Sequence, residues 1–251
     1  MGGRGSSYFN RSGSMRIKVS DTYDQDKPTN NRTRIVEKLT KRNVQVMAST
    51  DKIPDEILTP NLKQLDRIMS RFRQYSDYAE VENLKVRTET FSNPNVKACF
   101  RCQIDTFKRP EIIFNKSYQR DTAREVETQV QKQIEIGYWT KSDRQNLLVH
   151  TMTHEMGHYV QRVLTEQIAK QRGEVDIRAR NPLQYDDDIA NEMRTKIRSI
   201  CKNTFHTTST TSIYGTSDPY EFFAETFSEM LTCDNPSDTA KSLEIYLKGE
   251  K

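Results

Sequence analysis

The stretch from Ser142 to Gln171, "SDRQNLLVHTMTHEMGHYVQRVLTEQIAKQ", constrains the chain more than any other. Val149, Met152, Met156, Val160 and Val163 recur at helical spacing, so the segment reads as one long helix whose apolar stripe other elements must cover. Ser142 reads as its N-cap. In the middle, His154 and His158 stand at i and i+4 on one face, with Glu155 between them. Two imidazoles so placed can grip one metal ion, and a carboxylate between them is positioned to act as a base on water. The same histidines can also be helix residues with ordinary hydrogen-bond partners, so a metal reading needs a third donor from elsewhere.

The segment "YGTSDPYEFFAETFSEM" offers that donor. Asp218 is a natural N-cap, Pro219 suits the first helical position, and Glu221 and Glu225 then lie one turn apart on one face. Phe223, Phe227 and Met230 form a separate stripe that would anchor this helix to the core. One carboxylate can bind metal while the other orients a ligand histidine through its second ring nitrogen. Asp218 with Glu221 is also a capping box, which needs no metal.

Together, "THEMGH" and "SIYGTSDPYEFFAETF" resemble the catalytic domains of the anthrax lethal factor family, zinc metallopeptidases of the gluzincin group. The match covers the two motifs and their neighbours, in the same order and with the same step from Tyr to ligand Glu. The resemblance implies that His154, His158 and Glu221 hold Zn2+ and that Glu155 is the general base. It also implies that Glu225 partners a ligand histidine and that Tyr214 is the phenol facing the reacting carbonyl oxygen. The implied activity is hydrolysis of peptide bonds in a protein or peptide substrate, on an α+β zincin-like core. Host-cell delivery and the kinase-kinase substrates of that family are not carried over. The opening "GGRGSS" is similar to the starts of some phage-encoded head or morphogenesis proteins. That implies a rival reading, a phage structural protein with a structural or vestigial zinc site, whose arm would bind an assembly partner in the particle. A structural site would close its fourth position with His150, His206 or a cysteine.

The rest of the chain fits a single domain with a tail. Residues 1–50 are rich in Gly, Ser, Asn, Arg and Asp, with little apolar clustering before "RIVEKL", and are expected to form a flexible arm preceding a domain at 51–251. In "TPNLKQLDRIMSRFRQY", Thr59 reads as an N-cap and Pro60 as the first helical residue, with Leu62, Leu65, Ile68, Met69 and Phe72 on one face. "NLKVRTETF", "VKACFRCQI" and "PEIIFNKSY" have strand length, with Asn93-Pro94-Asn95 as turn residues between the first two, so a small sheet of about three strands is expected. Val126, Val130 and Ile134 mark a helix that Gly137 helps to stop, and Ile189, Met193, Ile197 and Ile200 mark another. Val160, Phe222 and the sheet edge are the expected walls of the cleft.

Charge and cysteine usage narrow the partners. A net charge of +4, with bases and acids interleaved, gives no stripe for nucleic acid. No segment is apolar for long enough to cross a bilayer, and the basic N-terminus has no apolar run behind it, so cytoplasmic synthesis is expected. Cys99 and Cys102 have metal-knuckle spacing, yet the alternation of Val96, Ala98, Phe100, Cys102 and Ile104 puts the two thiols on opposite faces of a strand. Reduced thiols are expected.

Overall fold

The computed structural model describes residues 32–72, 84–93, 96–101, 110–173 and 182–249, with the backbone alone for 182–186. The Gly/Ser-rich start, and any docking role for it, lies outside the described residues.

The described residues form seven α-helices and a four-stranded mixed sheet: α1 (Arg32–Thr40), α2 (Asp55–Arg71), α3 (Ala123–Glu135), α4 (His150–Gln171), α5 (Pro182–Ile200), α6 (Pro219–Thr232) and α7 (Asp238–Lys248). The strands β1 (Val44–Val46), β2 (Leu84–Glu89), β3 (Ala98–Arg101) and β4 (Glu111–Asn115) lie in the order β1-β2-β4-β3. β1, β2 and β4 run parallel, and β3 pairs antiparallel with β4, with Phe100 opposite Ile112, as the edge among the described residues. Ile112, Ile113 and Phe114 are all buried, as a strand covered on both faces requires. β2 instead alternates, sending Leu84, Val86 and Thr88 inward. The sheet has one strand more than expected, because "VQV" is too short to show a period.

The N-terminal boundary moves upstream. Ile35, Leu39 and Val44 are buried in the core, so residues 32–50 belong to the folded part and not to the expected arm. Two helix starts also move. α2 begins at Asp55, leaving Thr59 and Pro60 inside it; Asp55 and Glu56 in its first turn suit the helix dipole. α4 begins at His150, not after Ser142, because residues 144–149 form a 3-10 turn tied to the end of α6: Asp143 N–H donates to the Thr232 carbonyl at 3.0 Å and the Asn146 side-chain amide does so at 2.8 Å. α7 carries no motif that announces it. Its Ser237 hydroxyl accepts from Ala240 N–H, and Leu243 and Leu247 are buried one turn apart.

The alternation expected for β3 holds in part. Ala98 is buried and Phe100 half-buried, but Val96 precedes the strand and is exposed, while Cys102 and Ile104 lie outside the described residues. Cys99 is a free thiol on the other face, its pKa pushed up to about 11 by burial and by the charge of Glu155. No helix among the described residues is long and apolar enough to cross a membrane.

α4 lies at the centre, with α2 on one side, where Gln64 Nε2 donates to Thr153 Oγ1 at 3.1 Å, and α6 on another. Met152, Met156, Tyr159, Val160 and Val163 fill the core together with Phe222, Phe223 and Phe227 of α6. Val160 and Phe222 are therefore core residues, fully buried, and not the cleft walls their position suggests. The α4–α6 crossing depends on Gly157: a Cβ there would stand 2.7 Å from Ala224 Cα and 3.2 Å from Phe227 Cβ. Backbone at that distance cannot yield as a flexible side chain could. Gly157→Ala should therefore lower unfolding free energy by about 1–3 kcal/mol, the usual range for overpacking. Denaturant titration checks this, and a midpoint equal to the parental one would show that the helices separate freely.

Candidate metal centre

The close crossing at Gly157 sets the faces of α4 and α6 against each other, and the motif residues meet there. Asp218 Oδ1 accepts from the N–H groups of Tyr220 and Glu221, both at 2.8 Å, so α6 starts where the sequence places it. The Glu221 carboxylate does not return to the cap. It turns to the histidines: Oε2 lies 3.1 Å from His154 Nε2 and 3.5 Å from His158 Nε2, while the two Nε2 atoms are 3.2 Å apart. Those separations bracket the roughly 3.3 Å edge of a tetrahedron built on zinc bonds of ordinary length.

The hydrogen-bond inventory fits a cation as well. His154 Nδ1 lies 2.9 Å from Glu225 Oε1, which leaves Nε2 facing the cluster. Both carboxylate contacts of His154 are short by distance, yet neither Glu221 Oε2 nor Glu225 Oε1 receives an aligned hydrogen bond, and both oxygens are buried. A buried anionic oxygen facing two imidazole nitrogens is satisfied by a positive charge between them. His154 itself responds to the same field. Burial opposes its protonation, but Glu221 and Glu225 outweigh burial and hold its pKa well above the usual value. Burial likewise works against ionisation of Glu221, and His154 and His158 overcome it, keeping the carboxyl well below its ordinary range. Among the described residues, His154, His158 and Glu221 are the group whose ligand atoms could hold a metal ion.

Glu155 stands outside this group. Its Oε2 accepts the Phe100 N–H of β3 at 2.6 Å, fixing it between α4 and β3. Burial, aided by Glu221, raises its pKa against the opposing histidines, so this carboxylate is a stronger base than an exposed one.

Glu225 is fully buried and held from several sides. Its Oε2 accepts from Thr140 N–H and from the Ser212 hydroxyl, each at 2.6 Å, and Ser212 Oγ in turn accepts Gly215 N–H at 2.9 Å. Burial disfavours its charge, and His154, His150 and the Ser212 hydroxyl more than restore it. If the group holds a metal, Glu225→Gln should weaken its affinity by roughly 10- to 100-fold while leaving one site fillable at high metal, the usual cost of losing a carboxylate behind a ligand histidine. A competition titration against a coloured chelator reads this directly; an unchanged affinity would reduce Glu225 to a packing residue.

Tyr214 joins the cluster through its hydroxyl, which donates to Glu221 Oε1 at 2.8 Å. Its ring is stacked between Tyr138, at 5.2 Å, and His154, at 5.8 Å, not against Phe222 or Phe223. Burial and then the Glu221 charge raise its pKa, so the phenol keeps its proton and remains a donor.

The other candidate ligands lie elsewhere. His150 is buried, stacked on Trp139 at 5.4 Å, with Nδ1 3.2 Å from Ser228 Oγ, and burial lowers its pKa to about 4. It is a neutral core residue. His206 takes a left-handed turn after the π-turn Cys201–Phe205. Thr140, Tyr138, Ser212 and the Phe100 N–H join the site without a signal in the motifs' chemistry; Ser212 alone lies inside one, as the first residue of "SIYGTSDPYEFFAETF".

Comparison with protein-family models, with curated proteins and with solved structures finds no match for this chain. The functional reading therefore rests on the residues and their geometry.

Proposed function

We propose that this protein is a zinc-dependent endopeptidase of the gluzincin type, similar in its core to the lethal factor catalytic domain. The observation that carries the proposal is the triangle of His154, His158 and Glu221 with Glu155 beside it but not in it. Zinc held there would polarise a scissile carbonyl and lower the pKa of water. Glu155 takes the proton of the attacking water and passes it to the leaving amine. Tyr214 donates a hydrogen bond to the oxyanion that develops on the carbonyl, an interaction stronger in the transition state than in the ground state.

The sheet supplies a binding surface. Among the described residues β3 is the edge strand, and the Phe100 N–H bonds Glu155, not β4. An extended peptide added alongside β3 would run past the catalytic carboxylate, as in other strand-addition complexes. The placement of Glu155 and Tyr214 favours catalysis over a purely structural metal site, which needs neither a base nor a phenol. Among the described residues no fourth His, Cys, Asp or Glu closes the group, which leaves a position for water.

Incubation with a proteome-derived peptide library tests the reading. Cleavage should occur, stop on adding a chelator and return with zinc. Cleavage indifferent to chelator, or none at all with zinc bound, would refute it.

A further inference from the structure

The segment after α3 reaches the site by a route that the motifs do not announce. Gly137, at φ +71°, turns the chain out of the helix, a conformation that side-chain-bearing residues rarely adopt. The next residues then clamp the site in two places. The carbonyls of Gly137 and Tyr138 accept the N–H groups of Ile213 and Tyr214 at 2.9 and 3.0 Å, and the Thr140 N–H binds Glu225. Between these anchors the Tyr138 ring lies on the Tyr214 ring, with an interplanar angle of 19°. Tyr138 remains 38% exposed, so the core does not need it for burial. The Tyr214 ring is thus stacked with two rings, that of Tyr138 and that of His154.

We propose that Tyr138 is a positioning residue: its stacked ring holds the Tyr214 phenol in the plane from which the hydroxyl reaches Glu221 and, in the peptidase reading on which this rests, the reacting carbonyl oxygen. Phenol rotation about the Cα–Cβ bond is limited on the His154 side by a buried imidazole fixed to Glu225. Among the described residues, Tyr138 supplies the second ring stacked on it. Removing that ring leaves the Tyr214 backbone bonded as before, since the two clamping bonds use Tyr138 main-chain atoms and those of Gly137. The side chain alone is released.

The test uses the full chain with 3-fluorotyrosine incorporated at position 214, in three forms: parental, Tyr138→Ala and Tyr138→Phe. Fluorine NMR of the metal-free protein should give one narrow resonance for the parental form, a shifted or broadened one for Tyr138→Ala, and the parental signal again for Tyr138→Phe, which keeps the stack. On a cleaved peptide, unlabelled Tyr138→Ala should lose about 3- to 10-fold in kcat with KM unchanged, the population one aromatic stack can hold. Tyr138→Phe should restore it, and Tyr138→Ala should cost nothing further in a Tyr214→Phe background. An unmoved fluorine signal in Tyr138→Ala, or an equal loss in the Tyr214→Phe background, would overturn the proposal. A fluorine signal that moves in a protein that cleaves no peptide would uphold the positioning and refute the peptidase reading instead.

Discussion

Glu155→Gln should keep its metal and its fold while losing about 10²- to 10⁴-fold in kcat, the contribution of a positioned general base. The substitution preserves shape and one carbonyl oxygen, so the Phe100 N–H, now 2.6 Å from Glu155 Oε2, retains an acceptor and β3 stays docked on α4. What disappears is the ability to take a proton. The three ligand atoms come from other residues, so zinc content should match the parental value. Steady-state kinetics on a peptide from the library, with metal analysis of the same sample, checks both halves. Parental turnover by the Gln variant would remove Glu155 from the mechanism; lost zinc would make it part of the metal site.

Tyr214→Phe should lower kcat by about 10²- to 10³-fold with little change in KM, following the loss of one oxyanion donor. The ring is held by stacking on Tyr138 and His154, interactions that Phe also makes, so the variant deletes a hydroxyl and little else. In the resting site that hydroxyl donates to Glu221 Oε1, not to the Oε2 that faces the histidines, so its removal leaves the triangle in place. A neutral ground-state carbonyl gains less from the phenol than the developing oxyanion does, which is why the loss falls on kcat. An unchanged kcat with zinc retained would leave Tyr214 as packing and the oxyanion donor still to be found.

Residues whose partners are set by local periodicity are legible in the sequence itself. A helix fixes the relation of His154 to His158 and of Glu221 to Glu225, and Asp218-Pro219 fixes where α6 starts. The stripe of Phe223, Phe227 and Met230 is readable for the same reason, and all three are buried. Partners set by chain excursions are not legible. Thr140 reaches Glu225 across 85 positions and Phe100 reaches Glu155 across 55, and neither donation involves a side chain whose type could signal it, since both use backbone N–H groups. Short elements are also hidden. β1 is three residues long, and α1 carries its buried Ile35 and Leu39 among Arg, Lys and Glu, so composition alone assigns it to the arm. At α2 and α4, capping residues suggest starts that the structure moves: α2 begins upstream, with Asp55 and Glu56 in its first turn, and α4 downstream, where bonds to Thr232 hold a 3-10 turn before it.

The proposed catalysis depends throughout on one metal held jointly by α4 and α6. The direct measurement is zinc content of the purified protein after dialysis, beside that of Glu221→Ala. The expected result is about one zinc per parental chain, as a three-ligand site with one open position requires, and a large loss in the variant. Undiminished zinc in Glu221→Ala, or none in the parental protein at saturating zinc, would contradict it.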